Sequence, residues 1–177
     1  MYQLHLRQRD NVQWHRYVWN RLSTPKYRFI LWLATQDKLK TRTRLQKFGV
    51  VDDCICPICG SSPETMEHLF FKCVLSHKGG TEVMKWLGFS HCRDGIGPLF
   101  KWLQRSAGTE FRRAVAYTNT VALVYHVWKA RNVVIWKFQV PTVQNLVKVV
   151  QSDVKCRIQN LIGRKVQSRD VDWFQKL

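Results

Sequence analysis

Apolar residues recur at helical intervals along most of the chain, and no stretch alternates long enough to predict a sheet. The clearest stripe lies toward the C-terminus, with spacings of three or four residues that are typical of one helix face. Pro141-Thr142 begins this helix and Gly163 ends it. We expect the stripe to pack in the core, with a dimer seam as the alternative, and Cys156 to be a core or boundary residue. The stripe comprises Val143, Val147, Val150, Val154, Ile158 and Leu161.

Capping and breaking residues predict the other helices. Proline at position 25 suits the first turn of a helix, whose apolar face would be Phe29, Ile30, Trp32 and Leu33. Gly79-Gly80 indicates a turn, and residues 90–97 are expected to form a loop. The predicted helices run from Asn11 to about Leu22, from Pro25, from Thr41 to Gly49, from Thr81 to Gly88, from Pro98 to Gln104 and from Thr109 to about Phe138.

The helix that begins at Thr109 is the longest and is apolar on most faces between Ala114 and Trp128, so we expect it to be central. The predicted fold class is therefore mostly α, with few or no β-strands. Two regions are expected: a helical zinc-binding domain over residues 1–90, and a C-terminal helical region over residues 91–177 packed on the first.

Composition excludes several classes of protein. The 177 residues are 45% hydrophobic and include eight tryptophans, which a disordered basic polymer would lack. No segment has the roughly 18 uninterrupted apolar residues of a membrane span, and the N-terminus lacks an apolar stretch of signal-peptide length. We therefore expect an intracellular globular protein, located in the nucleus, with no membrane association.

The chain is strongly basic, with 29 Lys and Arg against 12 Asp and Glu and a formal net charge of +17. The surplus lies on both sides of residues 54–73, a nearly neutral segment. Self-repulsion of this size destabilises a compact state unless a partner uses it, and phosphate backbones are the common intracellular partner. The densest cluster is Lys38, Lys40, Arg42, Arg44 and Lys47.

The stretch CPICGSSPETMEHLFFKC contains a metal-ligand pattern, C-x2-C-x8-H-x4-C. A C-x2-C turn directs two sulfurs at one ion, and three Cys with one His form the closed tetrahedral set of a structural zinc site. We therefore predict one structural Zn²⁺, in a segment over residues 54–75. The predicted ligands are Cys56, Cys59, His68 and Cys73.

Two alternatives to this ligand set remain open. Cys54 could replace Cys56 in a longer C-x4-C loop, or the cysteines could be buried and reduced beside a surface histidine. His68 and Cys73 are five residues apart, which is about 140° on an α-helix, so they meet one ion only if the helix frays or bends near Cys73. His77, His91 and Cys92 are interpreted as ordinary surface or core residues.

The residues from Trp14 to Cys73 resemble the reverse-transcriptase zinc-binding domain of plant LINE-type (non-LTR) retrotransposon polyproteins. The zinc segment carries the strongest likeness, and VWKARNVVIWKF resembles a W-x-x-R-N segment that commonly follows this domain. The matching positions are Trp19, Pro25, Lys26, Phe29, Trp32, Leu39, Thr41, Leu45, Cys56, Pro57, Cys59, Gly60, Glu64, Thr65, Glu67, His68, Leu69, Phe70, Phe71, Cys73, Trp128, Arg131, Asn132 and Trp136.

The resemblance implies a unit that grips element RNA or target DNA beside a reverse transcriptase. The separated carboxylates that hold two metal ions in a polymerase are not visible. The only adjacent pair, Asp52-Asp53, is interpreted as a turn beside the metal. We expect no enzymatic activity and no small-molecule substrate.

The leading hypothesis is nucleic-acid binding, to RNA or DNA, by a zinc-stabilised helical domain. The alternative is a protein-interaction module that docks a reverse transcriptase or self-associates. The metal with three thiolates adds no positive field, so the flanking helices would supply it. The expected phosphate contacts are Lys38, Lys40, Arg42, Arg44, Lys47 and Lys72.

The eight tryptophans are expected to pack mostly at helix contacts, although a stacking platform for unpaired bases is the functional alternative. Trp14 and Trp173 lie in polar surroundings near the ends of the chain. We therefore expect these two to be the most exposed.

Overall fold

A 28-residue helix, α6 (Glu110–Lys137), forms the centre of the fold. The computed structural model describes residues 15–90, 93–162 and 166–177. The Thr109 hydroxyl caps α6 by accepting from the Arg112 N–H at 3.3 Å. Every residue from Val115 to Val124 is buried, so all faces of this stretch are covered. The predicted central helix is confirmed.

Helices of the first and second halves of the chain pack around α6. It contacts α2, α4, α5, α7 and a π-helical turn of residues 68–72. The described residues contain no β-strand, only an isolated antiparallel bridge between Ile55 and Pro63, which confirms the mostly α fold class. The other helices are α1 (His15–Val18), α2 (Pro25–Thr35), α3 (Arg42–Lys47), α4 (Val74–Trp86), α5 (Ile96–Ser106), α7 (Val143–Gln159) and α8 (Ser168–Gln175).

None of the described helices is both long enough and apolar enough to cross a membrane.

Helix α2 begins at Pro25 as predicted, and Ile30, Trp32 and Leu33 of the predicted face pack partly buried against the core, but the most buried residues are others. Its buried residues are Tyr27, Leu31 and Ala34, whereas Phe29 is 53% exposed. The aromatic residues misled the prediction because Tyr27 packs its ring on Tyr125 of α6, 4.0 Å between centroids, and so turns Phe29 outward. Asn11, the predicted cap of the first helix, lies outside the described residues.

The predicted turn at Gly79-Gly80 is wrong, because both glycines lie inside α4. A Cβ at position 79 would lie 2.8 Å from a Leu146 methyl group of α7. An added methyl group would have to displace the buried Leu146 side chain, so glycine suits the close approach of the two helices. Tertiary packing outweighs the cost of about 1 kcal/mol that glycine carries inside a helix.

Helix α7 begins after Thr142, whose hydroxyl accepts from the Asn145 N–H at 3.2 Å. Its buried residues are Leu146, Val150, Val154 and Ile158. Leu161, at the end of the predicted stripe, is 41% exposed because the helix has already ended at Gln159. Gly163, the predicted end, lies outside the described residues.

Two exposure predictions are also wrong. Cys156 is exposed, on the face of α7 away from the buried stripe. Trp173 is partly buried, because it lies in α8 and its side chain packs against the core beside Arg112. The most exposed tryptophan among the described residues is Trp136, at 79%, and Trp14 lies outside them.

A polar cluster ties α2, α6 and α7 together. The Tyr27 hydroxyl donates to the Asp153 carboxylate, which also lies 2.7 Å from Nε2 of His126. Burial lowers the pKa of His126 despite this carboxylate, so the imidazole is neutral at pH 7. Hydrogen bonds from Tyr27 and His126 outweigh burial at Asp153 and lower the pKa of its carboxyl group.

Candidate metal centre and basic surface

A tight hairpin positions the first two predicted ligands. The Cys56 N–H donates to the Ser62 carbonyl at 2.8 Å, and the Glu64 N–H donates to the Cys54 carbonyl at 2.7 Å. Between them the chain turns at Gly60, whose φ of +65° lies in the left-handed region that favours glycine. The Gly60 N–H closes the turn on the Cys56 carbonyl at 2.9 Å. Cys56 and Cys59 are thereby held on one side of the loop.

A π-helical turn positions the other two ligands. The Cys73 N–H donates to the His68 carbonyl, five residues earlier, at 2.7 Å. This bond closes one wide turn and places residues 68 and 73 nearly one above the other, where an α-helix would separate them by about 140°. The Thr65 hydroxyl accepts from the His68 N–H at 3.0 Å and fixes the start of the turn. The helical path therefore widens where the ligand spacing requires it.

The four side chains converge on one point. Their ligand atoms all lie within 4.8 Å of one another, and Cys59 Sγ lies 3.3 Å from His68 Nε2. A tetrahedron with Zn–S bonds of about 2.3 Å has S–S edges of about 3.8 Å, so closing on one ion requires movements of about 1 Å. Cys56 and Cys73 are fully buried. The group fits one structural zinc ion with no position left for a water molecule.

Backbone N–H groups and a shared hydrogen bond surround the two buried sulfurs. Backbone N–H groups of Ile58 and Cys59 point at the Cys56 sulfur, and that of Leu75 points at the Cys73 sulfur. A hydrogen bond from Cys56 lowers the pKa of Cys73, whereas the same bond and burial raise the pKa of Cys56. A bound cation would displace the protons of the thiols that become its ligands.

The alternatives to these ligands receive no support from the geometry. Cys54 is half-buried and does not join the group, because the hairpin places its carbonyl against Glu64. His77 Nδ1 lies 3.1 Å from the Phe71 carbonyl. Asp53, from the adjacent acidic pair, binds Arg42 at 2.7 Å. His91 and Cys92 lie outside the described residues.

A buried ion pair clamps the metal loop to α6. The Glu64 carboxylate is fully buried and accepts from Nε and Nη2 of Arg131 at 2.7 and 2.9 Å. It also accepts from the Arg42 N–H at 2.6 Å, and Arg131 Nη2 donates to the Lys40 carbonyl at 3.0 Å. One carboxylate and one guanidinium thus join the metal loop, the start of α3 and the central helix.

Sequence reasoning did not identify this clamp, although both partners lay in the motifs it quoted. A buried charge needs a paired charge, and Arg and Glu are rarely buried otherwise. The spacing of 67 residues between the partners hides the pair from any local pattern. The W-x-x-R-N segment is accordingly part of the metal loop's support.

The basic residues predicted to contact phosphates fall into two groups. Lys38, Lys40 and Lys47 are exposed, and Lys40 and Lys47 make no side-chain ion pair or hydrogen bond within the described part of the chain. Lys38 Nζ lies 5.4 Å from the ring centre of Trp32. These three lysines are free to meet an anion.

The other three predicted contacts already have partners. Arg42 makes an ion pair with Asp53, and Arg44 donates to the Asp37 carbonyl at 2.6 Å. Lys72 pairs with Glu67 at 2.8 Å, with both side chains more than half exposed. Arg42 and Arg44 therefore also brace α3 against its surroundings, and Lys72 competes with a carboxylate for any phosphate.

Comparison with known proteins supports the metal assignment. Residues 1–78 match the protein-family model described as zinc-binding in reverse transcriptase. This segment includes all four converging side chains and the three free lysines, but not α6. No curated protein sequence and no solved structure shows a significant match.

Proposed function

We propose that the chain is a zinc-stabilised nucleic-acid-binding unit of a LINE-type retrotransposon reverse-transcriptase polyprotein, which grips RNA or DNA phosphates without catalysis. Its support is the match to a reverse-transcriptase zinc-binding family, together with the net charge of +17. The proposal includes a nuclear location, because target DNA lies there.

The observation that carries the proposal is the position of the free lysines. Lys38 and Lys40 precede α3 and Lys47 is its last residue. The first turn of α3 is tied to the metal loop through Glu64 and Asp53. The Thr41 hydroxyl caps the helix by accepting from the Arg44 N–H at 3.4 Å. We call these three residues the α3 lysines. They extend from a braced element, so less conformational freedom is lost when they meet phosphates.

The metal would stabilise the fold of the metal loop, and the α3 lysines would supply the positive charge that binds phosphates. A zinc ion with three thiolates and one neutral imidazole has a net charge of −1 and attracts no phosphate by itself. Contacts from lysine to phosphate position a strand without distinguishing its bases. Their affinity depends on release of counterions and falls steeply with salt.

The test is the salt dependence of binding to a duplex of random sequence. Each lost phosphate contact lowers the slope of log affinity against log salt by about 0.9 on duplex DNA. Replacing the three α3 lysines with Gln should therefore lower the slope by nearly 3. The matched control replaces Lys101, Lys148 and Lys176, exposed lysines of other elements, and removes the same net charge. Equal slopes for the two triple variants would contradict the proposal.

The alternative function, docking of a reverse transcriptase or of a second copy, draws on a different surface. Ile58, Val74, Val140 and Pro141 line a shallow hollow of about 400 Å³ beside the metal ligand Cys59. Val74 and Val140 are 58% and 55% exposed. This alternative replaces the proposal if Val74→Ser abolishes association with a reverse-transcriptase domain while the variant lacking the α3 lysines binds both partners normally.

A further inference from the structure

The C-terminal half of α6 has an exposed stripe of aromatic and basic side chains that the metal centre does not use. Its residues are three or four positions apart, so they lie along one side of the helix. They line a shallow groove of about 240 Å³, which we call the α6 groove. The groove residues include Tyr125, Trp128, Lys129, Asn132, Trp136 and Lys137.

Exposure distinguishes Trp136 from the other tryptophans that the structure describes. Its side chain is 79% exposed, and the next residue but one, Phe138, is 89% exposed. The other two aromatic rings of the groove, those of Tyr125 and Trp128, pack against side chains of the protein. Tyr125 stacks on Tyr27, and the Arg131 guanidinium lies 4.9 Å from the ring centre of Trp128. Large apolar groups exposed beside such a fixed floor mark an interaction site rather than core packing.

The charged residues that line the α6 groove are both lysines. The sequence contains no Asp or Glu between Glu110 and Asp153. Lys129 and Lys137 are both exposed in the groove. At the Tyr125 end, Lys26 Nζ lies 5.4 Å from the tyrosine ring, and the Asp153 carboxylate is already bonded to Tyr27 and His126.

Aromatic faces and lysines in one groove complement a partner that has planar rings and phosphates. Unpaired bases stack on exposed aromatic side chains, while the lysines follow the backbone. In a duplex the base faces are covered by neighbouring base pairs and cannot stack on the protein. The charge of the α6 groove thus favours a polyanion, and its exposed indole favours a single strand.

We propose that the α6 groove binds single-stranded nucleic acid, with an unpaired base stacked on Trp136 and adjacent phosphates on Lys129 and Lys137. The inference that the partner is a polyanion rests on the proposed function, whereas the choice of a single strand and the location of the site do not. Lys129 and Lys137 are eight residues apart on α6, about 12 Å along the axis, so they contact different phosphates. The α3 lysines and this groove would then contact backbone and bases separately.

The experiment measures binding of a fluorescent 12-mer of deoxythymidine, alone and annealed to its complement. Trp136→Leu keeps an apolar side chain without a ring, and Trp136→Phe keeps a ring. Loss of one stacking contact lowers affinity roughly 5- to 150-fold. We expect this loss for Trp136→Leu on the single strand alone, with most of the affinity retained by Trp136→Phe. Lys129→Gln with Lys137→Gln should lower the single-strand salt slope by about 1.4.

Other outcomes separate the two proposals. Wild-type protein that binds neither probe refutes both the proposed function and the groove assignment. Wild-type protein that binds both probes, with Trp136→Leu equal to it on the single strand, refutes the groove assignment alone. Equal losses on both probes also overturn it, as does a Trp136→Leu variant that loses only self-association in sedimentation. Because the side chain is exposed, circular dichroism should show an unchanged fold for both Trp136 variants.

Discussion

Replacing Arg131 with Met tests whether the buried ion pair holds the metal loop on α6. Methionine keeps the length and apolar contacts of the side chain but removes the guanidinium. Glu64, fully buried, would then keep only the Arg42 N–H among the three donors it now accepts from. The Lys40 carbonyl would lose its donor as well.

The expected loss of stability comes from the Glu64 carboxylate, which would remain buried without its partner. Removing one partner of a buried ion pair costs about 3–5 kcal/mol, because the other charge remains buried without compensation. For a chain of this size each kcal/mol lowers the midpoint of thermal unfolding by about 2–4 °C, so the midpoint should fall by roughly 6–20 °C. The Glu64→Leu, Arg131→Met double variant should be more stable than Arg131→Met alone, because apolar replacement of both partners leaves no buried charge.

The assay is thermal unfolding of the zinc-saturated proteins, followed by circular dichroism, together with zinc affinity from competition with a coloured chelator. Glu64 is adjacent to Thr65, which fixes the start of the π-helical turn. Zinc affinity should therefore fall in Arg131→Met. The role of the buried ion pair is refuted if Arg131→Met lowers the free energy of unfolding by less than about 1 kcal/mol. It is also refuted if the double variant is less stable than Arg131→Met.

Three further predictions concern the metal, the helix packing and pH. Chelation of zinc should unfold at least residues 54–75, because a structural zinc site contributes about 10–16 kcal/mol of apparent binding energy at neutral pH. Amide hydrogen exchange measures the unfolding of this segment. A zinc content well below one ion per chain would contradict the site. Gly79→Ala should destabilise by about 1–3 kcal/mol through overpacking against Leu146, whereas Gly97→Ala, where no atom lies within 4 Å of the added Cβ, should be neutral or stabilising in urea unfolding. Burial lowers the pKa of His126, so the unfolded chain binds more protons, and stability should fall as pH drops below 6.5, the usual histidine value. His126→Gln should show a smaller loss in urea midpoints between pH 7.5 and 5.5, and identical pH slopes for the two proteins would refute this.

Local patterns predicted the features that depend on neighbouring residues. Threonine caps at positions 41, 109 and 142, proline at the start of α2 and the C-x2-C loop are all set within a few residues. The structure has each of these helix starts. The central place of α6 also followed from its sequence, because a helix that is apolar all round must be covered on every side.

Features set by distant contacts could not be predicted in this way. Gly79 looked like a turn because its reason, the close approach of Leu146, lies 67 residues away. The face of α2 depends on Tyr125, and the clamp on Glu64 depends on Arg131, each far along the chain. The π-helical turn was foreseen only as a need for the helix to bend near Cys73, since ligand spacing implies the departure from α geometry but not its form.

Arg131 connects the two halves of the proposed function. Its guanidinium pairs with Glu64 of the metal loop and lies against the Trp128 ring in the floor of the α6 groove. Loss of zinc would free the hairpin that holds Glu64, and Arg131 would then need another partner for a buried charge. Any movement of that guanidinium would disturb the Trp128 ring, which lies in the floor of the groove beside the proposed base site on Trp136. The metal would therefore support single-strand binding from a distance. Chelation should weaken binding of the single-stranded 12-mer more than Lys85→Gln does, since that variant breaks only the exposed pair with Glu82.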